Sequence, residues 1–193
     1  MRPLSPLVRR TILISTVTVL LAVGAGFVGL YWLAKSFGPP EETTDVAAYG
    51  TTLKEWFSSG LVAHFPANVP PQAQKVRFAA YPGFLQGGAY IQLRMQLPAG
   101  EIEAIEDRLK KATTHVYAGG GFFDHYNEDQ KNNWPTTTFR TADNPKTMFD
   151  FPTHYTLYVL SAKNPGGSWN HGETSGVAVS TTANEVVYWA DSW

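Results

Sequence analysis

The sequence predicts an α+β fold: one N-terminal transmembrane helix, then a single domain with an antiparallel sheet of about five strands and one or two helices on one face. Residues 11–34 contain no charged side chain, which is typical of a membrane span. Several later segments alternate apolar and polar residues and are separated by turn residues, which favours antiparallel strands. One amphipathic segment has the helical period, so helix and hairpins occur together rather than in a βαβ series.

The predicted anchor is the uncharged stretch of residues 11–34. At about 1.5 Å per residue, a helix of this length exceeds the roughly 30 Å hydrocarbon core of a bilayer. Arg9 and Arg10 precede the stretch, and an aromatic pair lies at its other end, where such rings favour the headgroup region. The positive-inside rule then places residues 1–10 in the cytoplasm and the remaining chain outside a cell membrane that is crossed once.

A cleaved signal peptide is the alternative, because the small residues at 23–25 resemble a weak cleavage site. The hydrophobic region of such a peptide is usually about 7–15 residues long, and here the apolar run continues well beyond residue 25. The length therefore favours an uncleaved signal-anchor that contacts the lipid bilayer through residues 11–34.

Small residues recur four apart within this anchor. Ala22 with Gly26, and Ala25 with Gly29, have the spacing that lets two transmembrane helices approach closely. Because glycine is also frequent in isolated membrane helices, the pattern has an alternative explanation that involves no partner. A homodimer through these four residues is one hypothesis for self-association.

Residues 35–50 contain a Pro-Pro pair and several acidic residues, which predict a linker after the anchor. The α+β domain is expected over residues 51–193 on the outer side, periplasmic or extracellular. Thr52 and Glu55 have the spacing of a capping box, which predicts that a short helix begins there. The domain should therefore open with a helix that ends near residue 59.

Two alternating segments predict a β-hairpin. Residues 75–81 place Val76, Phe78 and Ala80 on one face, and every second residue from 91 to 97 is apolar. Pro and Gly residues lie between the two segments, as expected for a turn. The hairpin should bury one face in the core and leave the other polar.

The next segment changes to the helical period. Ile102, Ile105, Leu109 and Ala112 fall on one stripe of a helix over residues 101–112. Acidic residues lie in its first turn and lysines in its last, which complements the helix dipole. This helix should lie across the sheet with its apolar stripe inward.

The remainder combines a long irregular stretch with a regular end. Residues 118–152 show no sustained period and predict an excursion with one short strand near 137–141. Residues 155–162, 176–180 and 185–190 predict a closing three-stranded meander. With the hairpin, this gives the sheet of about five strands.

Composition excludes several function classes. The chain has 193 residues, and the part beyond the anchor has the usual size of one domain. It has no cysteine, so it forms no disulfide and uses no thiol nucleophile; together with the absence of glycosylation sequons this favours a bacterial origin. Beyond Lys35 there are 11 basic and 16 acidic residues, a net charge of −5, which argues against nucleic-acid binding.

The densest group of reactive side chains lies in residues 119–129. Asp124 and His125, with Glu128 and Asp129, include residue types that bind divalent cations or act as an acid and base pair. Their spacing matches no recognised metal motif, and a solvated acidic loop after a glycine run is the favoured explanation. Asp124 and His125 are therefore candidate binding residues, and no catalytic residue, metal site or cofactor is predicted.

Two aromatic segments are further candidates for binding. Phe84 and Leu85 occupy a hairpin tip, where exposed apolar side chains would form a contact patch and buried ones would belong to the core. Trp169, Asn170 and His171, with Trp134 as a possible neighbour, combine an aromatic face with amide and imidazole groups that suit sugar or peptide contact. Packing in the core is the alternative for these rings as well.

The leading functional hypothesis is a membrane-anchored extracytoplasmic interaction module that binds a protein or a component of the cell envelope. It follows from the predicted anchor together with the lack of any catalytic motif. One alternative is a small envelope hydrolase or metal-binding enzyme that uses the 119–129 loop. Another is an accessory subunit that stabilises a larger membrane complex through its anchor.

Overall fold

The computed structural model describes residues 20–21, 23–31, 42–57, 60–81, 88–120, 134, 136–137, 139, 141, 151–163 and 172–192, without the side chains of Trp56 and Phe57. Two compact units divide the chain, Met1–Gly38 and Pro39–Trp193. In the first unit, residues 20–21 and 23–31 are helical. Among the residues described, no helix is both long and apolar enough to span a bilayer. The anchor over 11–34 and its dimer face stay predictions, and Ala22 lies outside the described residues.

The second unit contains one six-stranded antiparallel sheet, in the order β1-β2-β6-β5-β4-β3. Its elements are α1 (Tyr49–Phe57), β1 (Gln74–Tyr81), β2 (Ala89–Gln96), α2 (Ala99–Ala112), β3 (Val116–Ala118), β4 (Thr156–Lys163), β5 (Glu173–Ser180) and β6 (Glu185–Ser192). The predicted α+β class is confirmed.

The prediction of about five strands was one strand short. The additional strand is β3, whose three residues pair with β4 at the sheet edge, Val116 opposite Tyr158 and Ala118 opposite Thr156. A strand of three residues is too short to display an alternation in the sequence. Of the strand expected near 137–141, the described residues contribute only a β-bridge at Phe139.

The predicted hairpin and meander are both present, and one strand pairing joins them. Phe78 lies opposite Leu93 in the hairpin of β1 and β2. Strand β2 then pairs along its whole length with β6, from Ala89 opposite Ser192 to Gln96 opposite Glu185. The pairing of β2 with β6 therefore joins segments that are far apart in the sequence.

Both helices cover the same face of the sheet, as predicted. Ile102, Ile105 and Leu109 of α2 are buried in one apolar core, while Ala112, the last residue of the expected stripe, is exposed. Tyr49 and Leu53 of α1 belong to the same core. The sheet contributes these residues: Phe78, Ile91, Leu93, Met95, Tyr158, Val177, Val179, Val186 and Ala190.

Helix α1 begins earlier than the sequence predicted. The amide of Thr52 donates to the carbonyl of Ala48 at 3.0 Å, so Thr52 lies inside the helix and is not its N-cap. Upstream, the Asp45 carboxylate accepts from the amide of Ala47 at 3.0 Å. The prediction of a capping box at Thr52 was wrong, because an Asp four residues before the helix already organises the turn that leads into it.

The second face of the sheet is also buried. Phe139 and Phe151, from the predicted excursion, pack with Tyr155 and Trp189 in a separate aromatic cluster. Strand β5 is consequently buried at every position after Glu173. Gly176 is required there, because a Cβ at this position would lie 2.6 Å from Cη2 of Trp189 and would also overlap the carbonyl oxygen of Tyr158.

The two ends of the excursion are joined to each other. The amide of Gly119 donates to the carbonyl of Tyr155 at 2.8 Å, and the amide of Gly120 donates to Phe151 at 2.7 Å. Gly120 has a φ of +83°, a conformation that L side chains rarely adopt, and a Cβ on Gly119 would lie 2.9 Å from the Phe151 oxygen. The glycine run in the sequence therefore has a structural role where the excursion leaves the sheet.

Candidate functional site

The seven binding residues predicted from the sequence all lie outside the described residues: Phe84, Leu85, Asp124, His125, Trp169, Asn170 and His171. They stay predictions. Within the part of the chain that the structure describes, no three His, Asp or Glu side chains converge as metal ligands would. Three other groups of polar side chains lie within the described residues: an ion-pair network, a partly buried histidine and an open pocket.

The ion-pair network lies on the second face of the sheet around Arg94 of β2. Its Nε and Nη2 donate to the two carboxylate oxygens of Glu42 at 2.8 and 2.7 Å. The Glu42 side chain is fully buried and that of Arg94 is 18% exposed. This bidentate geometry makes arginine–carboxylate pairs strong.

A second carboxylate completes the network. Glu185 lies 3.7 Å from Nη1 of Arg94 and accepts a hydrogen bond from the hydroxyl of Tyr155. Burial alone would lower the pKa of Arg94, but the hydrogen bonds and charge of Glu42 outweigh this and raise it. Burial, followed by the bond to Glu185, raises the pKa of Tyr155 far above its ordinary range. The phenol therefore stays protonated and serves as a donor.

This network attaches the segment before α1 to the sheet. Thr43 forms a β-bridge with Phe78, with both amide to carbonyl bonds at 2.7–2.8 Å, directly beside the Glu42 to Arg94 pair. The guanidinium also lies 5.6 Å from the centre of the Phe139 ring, within the range of a cation–π contact. The charged atoms of the network bind one another, so the role of the network is to stabilise the fold rather than to react.

His64 is the second group, and its imidazole also has a structural role. Its Nε2 lies 3.0 Å from the carbonyl oxygens of both Gly176 and Trp189. Since both neighbours are acceptors, Nε2 carries a proton and donates. Burial lowers the pKa of this imidazole to about 4, against partial compensation from the carbonyl bonds, so the ring is neutral near pH 7.

The third group lines an open pocket of about 290 Å³ at the C-terminal end of α2. The pocket is lined by residues 110–115, Trp134 and Leu160. The chain turns here because Thr113, which follows α2, has an extended backbone and donates its hydroxyl to the carbonyl of Val159 at 2.7 Å. The same hydroxyl accepts from the amide of His115 at 3.0 Å, which fixes the start of β3 against β4.

One wall of this pocket is a stacked pair of rings. The imidazole of His115 and the indole of Trp134 have centroids 3.7 Å apart and planes inclined by 10°. The backbone amide of Trp134 donates to the hydroxyl of Tyr117 at 2.9 Å, which ties this residue of the excursion to β3. Both stacked residues are partly buried, so their positions are held while part of their surface faces the pocket.

Two lysines also line this pocket. Lys110 is 3.1 Å from Glu106 and 3.9 Å from Asp107, so its charge is partly neutralised on its own helix. Lys111 is exposed and forms no ion pair with any other residue that the structure describes. A flat aromatic wall beside a cation distinguishes this pocket from the two internal groups.

Few features of the sequence indicate this site. In the sequence, Trp134 is only a possible neighbour of Trp169, His115 belongs to no recognised motif, and the lysines complement the helix dipole. The pocket forms because the end of α2, the edge of β4 and one residue of the excursion meet, and no local pattern contains all three.

No protein-family model matches the sequence, and comparisons with curated proteins and with solved structures find no match.

Proposed function

We propose that the chain is a membrane-anchored extracytoplasmic binding module that takes a component of the cell envelope into the pocket at the end of α2. The observation that carries this proposal is the stacked pair of His115 and Trp134 in the wall of an open pocket with Lys111 at its rim. Aromatic walls with a few convergent polar groups are the usual composition of small-ligand pockets.

The proposed anchoring rests on the uncharged residues 11–34. Where this stretch is described, its residues are helical and their apolar side chains point outward; Leu20, Leu21, Phe27, Val28 and Leu30 are each at least 58% exposed. Apolar side chains of this size are normally covered by protein or lipid. A bilayer is the environment that suits such a surface.

Binding is favoured over catalysis because the perturbed ionisable groups are engaged inside the fold. Tyr155 and Arg94 are bonded to carboxylates, and His64 is held by two carbonyls. The pocket itself presents rings, hydroxyls and ammonium groups, which suit recognition.

The natural absence of cysteine allows one clean experiment on the full chain. Thr114→Cys places a thiol at the exposed rim of the pocket, and Lys54→Cys places a matched thiol on the exposed surface of α1. Both variants are treated in sealed cells or spheroplasts with a membrane-impermeant maleimide that carries a photoreactive group. Both should be labelled, and irradiation should give a specific adduct from position 114 only.

Labelling that requires lysis of the membrane would refute the outer location. Identical adducts from positions 114 and 54 would refute the pocket as the binding site, because the control thiol lies away from it. An adduct confined to position 114 supports the proposed function whatever the chemistry of the captured component.

A further inference from the structure

The described surface of the second unit favours a small ligand over a protein partner. Among its described residues, Val116 is the one large hydrophobic side chain that is exposed, at 43%. Stable protein interfaces bury roughly 800 Å² on each partner around a central apolar or aromatic patch. The described surface offers no such patch, whereas the recess at the end of α2 suits a small ring.

The size of the recess agrees with this. Its volume of about 290 Å³ is at the lower end of small-molecule pockets, which range from roughly 300 to 1,000 Å³. One six-membered ring with its substituents fits such a volume, and a folded peptide element does not. The open side allows further units of a chain to extend into solvent.

The wall of the pocket suits the face of a sugar ring. An indole presents a negative π face, which attracts the weakly positive C–H groups of a saccharide. His115 covers one face of the Trp134 indole, so a sugar ring would take the other face; the stack and the bond from the Trp134 amide to Tyr117 hold the residue, so little freedom is lost on binding. A preformed flat surface of this kind favours ring stacking over an adaptable contact.

The rim adds a charge preference. The chain beyond Lys35 has a net charge of −5, so most of its surface repels anions. Lys111 is a local exception, because no described carboxylate pairs with it, while Lys110 is shared with Glu106 and Asp107. An anionic group is therefore favoured at this rim.

We propose that this pocket binds an acidic saccharide, with one sugar ring on Trp134 and its carboxylate beside Lys111. This inference rests on the proposed binding function and names its ligand class. Thr113 takes no part in recognition, because its hydroxyl is already used between Val159 and His115.

The test uses the full chain in detergent micelles and follows the indole N–H resonances by NMR. The probes are glucuronic acid, glucose and acetate at millimolar concentrations. Glucuronic acid should shift the Trp134 resonance and bind about two- to fivefold more tightly than glucose, the range expected of one exposed ion pair. Acetate, which lacks the ring, should leave Trp134 unshifted.

Variants separate the two contacts. Lys111→Gln should remove the preference for glucuronic acid and leave glucose binding unchanged, whereas the exposed control Lys54→Gln should change neither. Trp134→Ala should abolish binding of both sugars. Trp134→Phe keeps an aromatic face in case the alanine variant loses its fold, and it should bind both sugars more weakly with the acid preference intact.

Two results would overturn the saccharide proposal. If acetate shifts Trp134 as strongly as glucuronic acid, the pocket is a simple anion site. If neither sugar binds the folded parent, the ligand class is wrong. In that case a protein adduct at Thr114→Cys would leave the proposed binding function standing, and the lack of any specific adduct would remove both.

Discussion

Neutralising Glu42 tests how strongly the buried ion pair stabilises the domain. Breaking a fully buried pair costs about 3–5 kcal/mol, and breaking an exposed pair costs at most about 1 kcal/mol. In Glu42→Gln, Arg94 keeps its partial exposure and its neighbour Glu185 at 3.7 Å, so its charge is still partly compensated. We expect the free energy of unfolding to fall by about 1–3 kcal/mol.

The opposite change should cost more. Arg94→Met leaves Glu42 and Glu185 close together without the cation between them, and both side chains are at most 9% exposed. We expect a loss of about 3–5 kcal/mol. In the double variant only Glu185 keeps its charge, so the combined loss should be smaller than the sum of the single losses by at least about 1 kcal/mol.

The measurement is urea unfolding of the full chain in detergent, followed by tryptophan fluorescence. Lys110→Gln, which removes an exposed ion pair with Glu106, is the matched control and should change stability by less than about 0.5 kcal/mol. Additive single losses, or an Arg94→Met variant more stable than Glu42→Gln, would show that the network does not act as described.

Two further predictions concern the centre of the sheet. The pKa of His64 in the folded protein, about 4, lies below its ordinary 6.5, so the stability that the neutral ring contributes is present above pH 6.5 and is lost as pH falls toward 4. Urea titrations over this range should show the parent losing about 2–3 kcal/mol more than His64→Gln. Equal losses would contradict the assignment. Gly176→Ala should lower the free energy of unfolding by about 2–4 kcal/mol, because the added Cβ overlaps Trp189. Gly100→Ala is the control: a Cβ there meets nothing within 4 Å, so the change should be neutral or stabilising by up to about 1 kcal/mol. Similar thermal shifts for both variants would refute the packing argument.

The parts of the fold that were predicted from sequence each place apolar residues on one face. Alternation in β1 and β2 and the stripe of Ile102, Ile105 and Leu109 in α2 are local patterns, because these apolar residues pack into one core. The pairing of β2 with β6 follows no local rule, because it depends on which edges of the hairpin and the meander meet. The prediction of about five strands missed β3 for a similar reason, because β3 is defined by its pairing with β4.

The second face shows a different limit. Arg94 and Gln92 interrupt the apolar pattern of β2, and this suggested a solvated face. Instead, Gln92 is 1% exposed and accepts a hydrogen bond from Tyr90, and Arg94 is covered through Glu42. Burial of polar side chains needs partners, and those partners come from distant segments that a local pattern does not reveal. The pocket around Trp134 escaped prediction for the same reason.

The joined ends of the excursion have a consequence for how the chain tolerates changes in length. The backbone amide of Gly120 is hydrogen-bonded to the carbonyl of Phe151. The chain therefore leaves and rejoins the sheet at fixed positions, independent of the number of residues between these two. The entropy of closing a flexible loop grows only logarithmically, and doubling its length costs roughly 0.6 kcal/mol. A reporter domain inserted within 142–150 should thus be carried without disturbing strand register, provided that Phe139 and Phe151 keep their places in the aromatic cluster with Trp189. The same arrangement would let related sequences differ widely in length here while they retain one sheet.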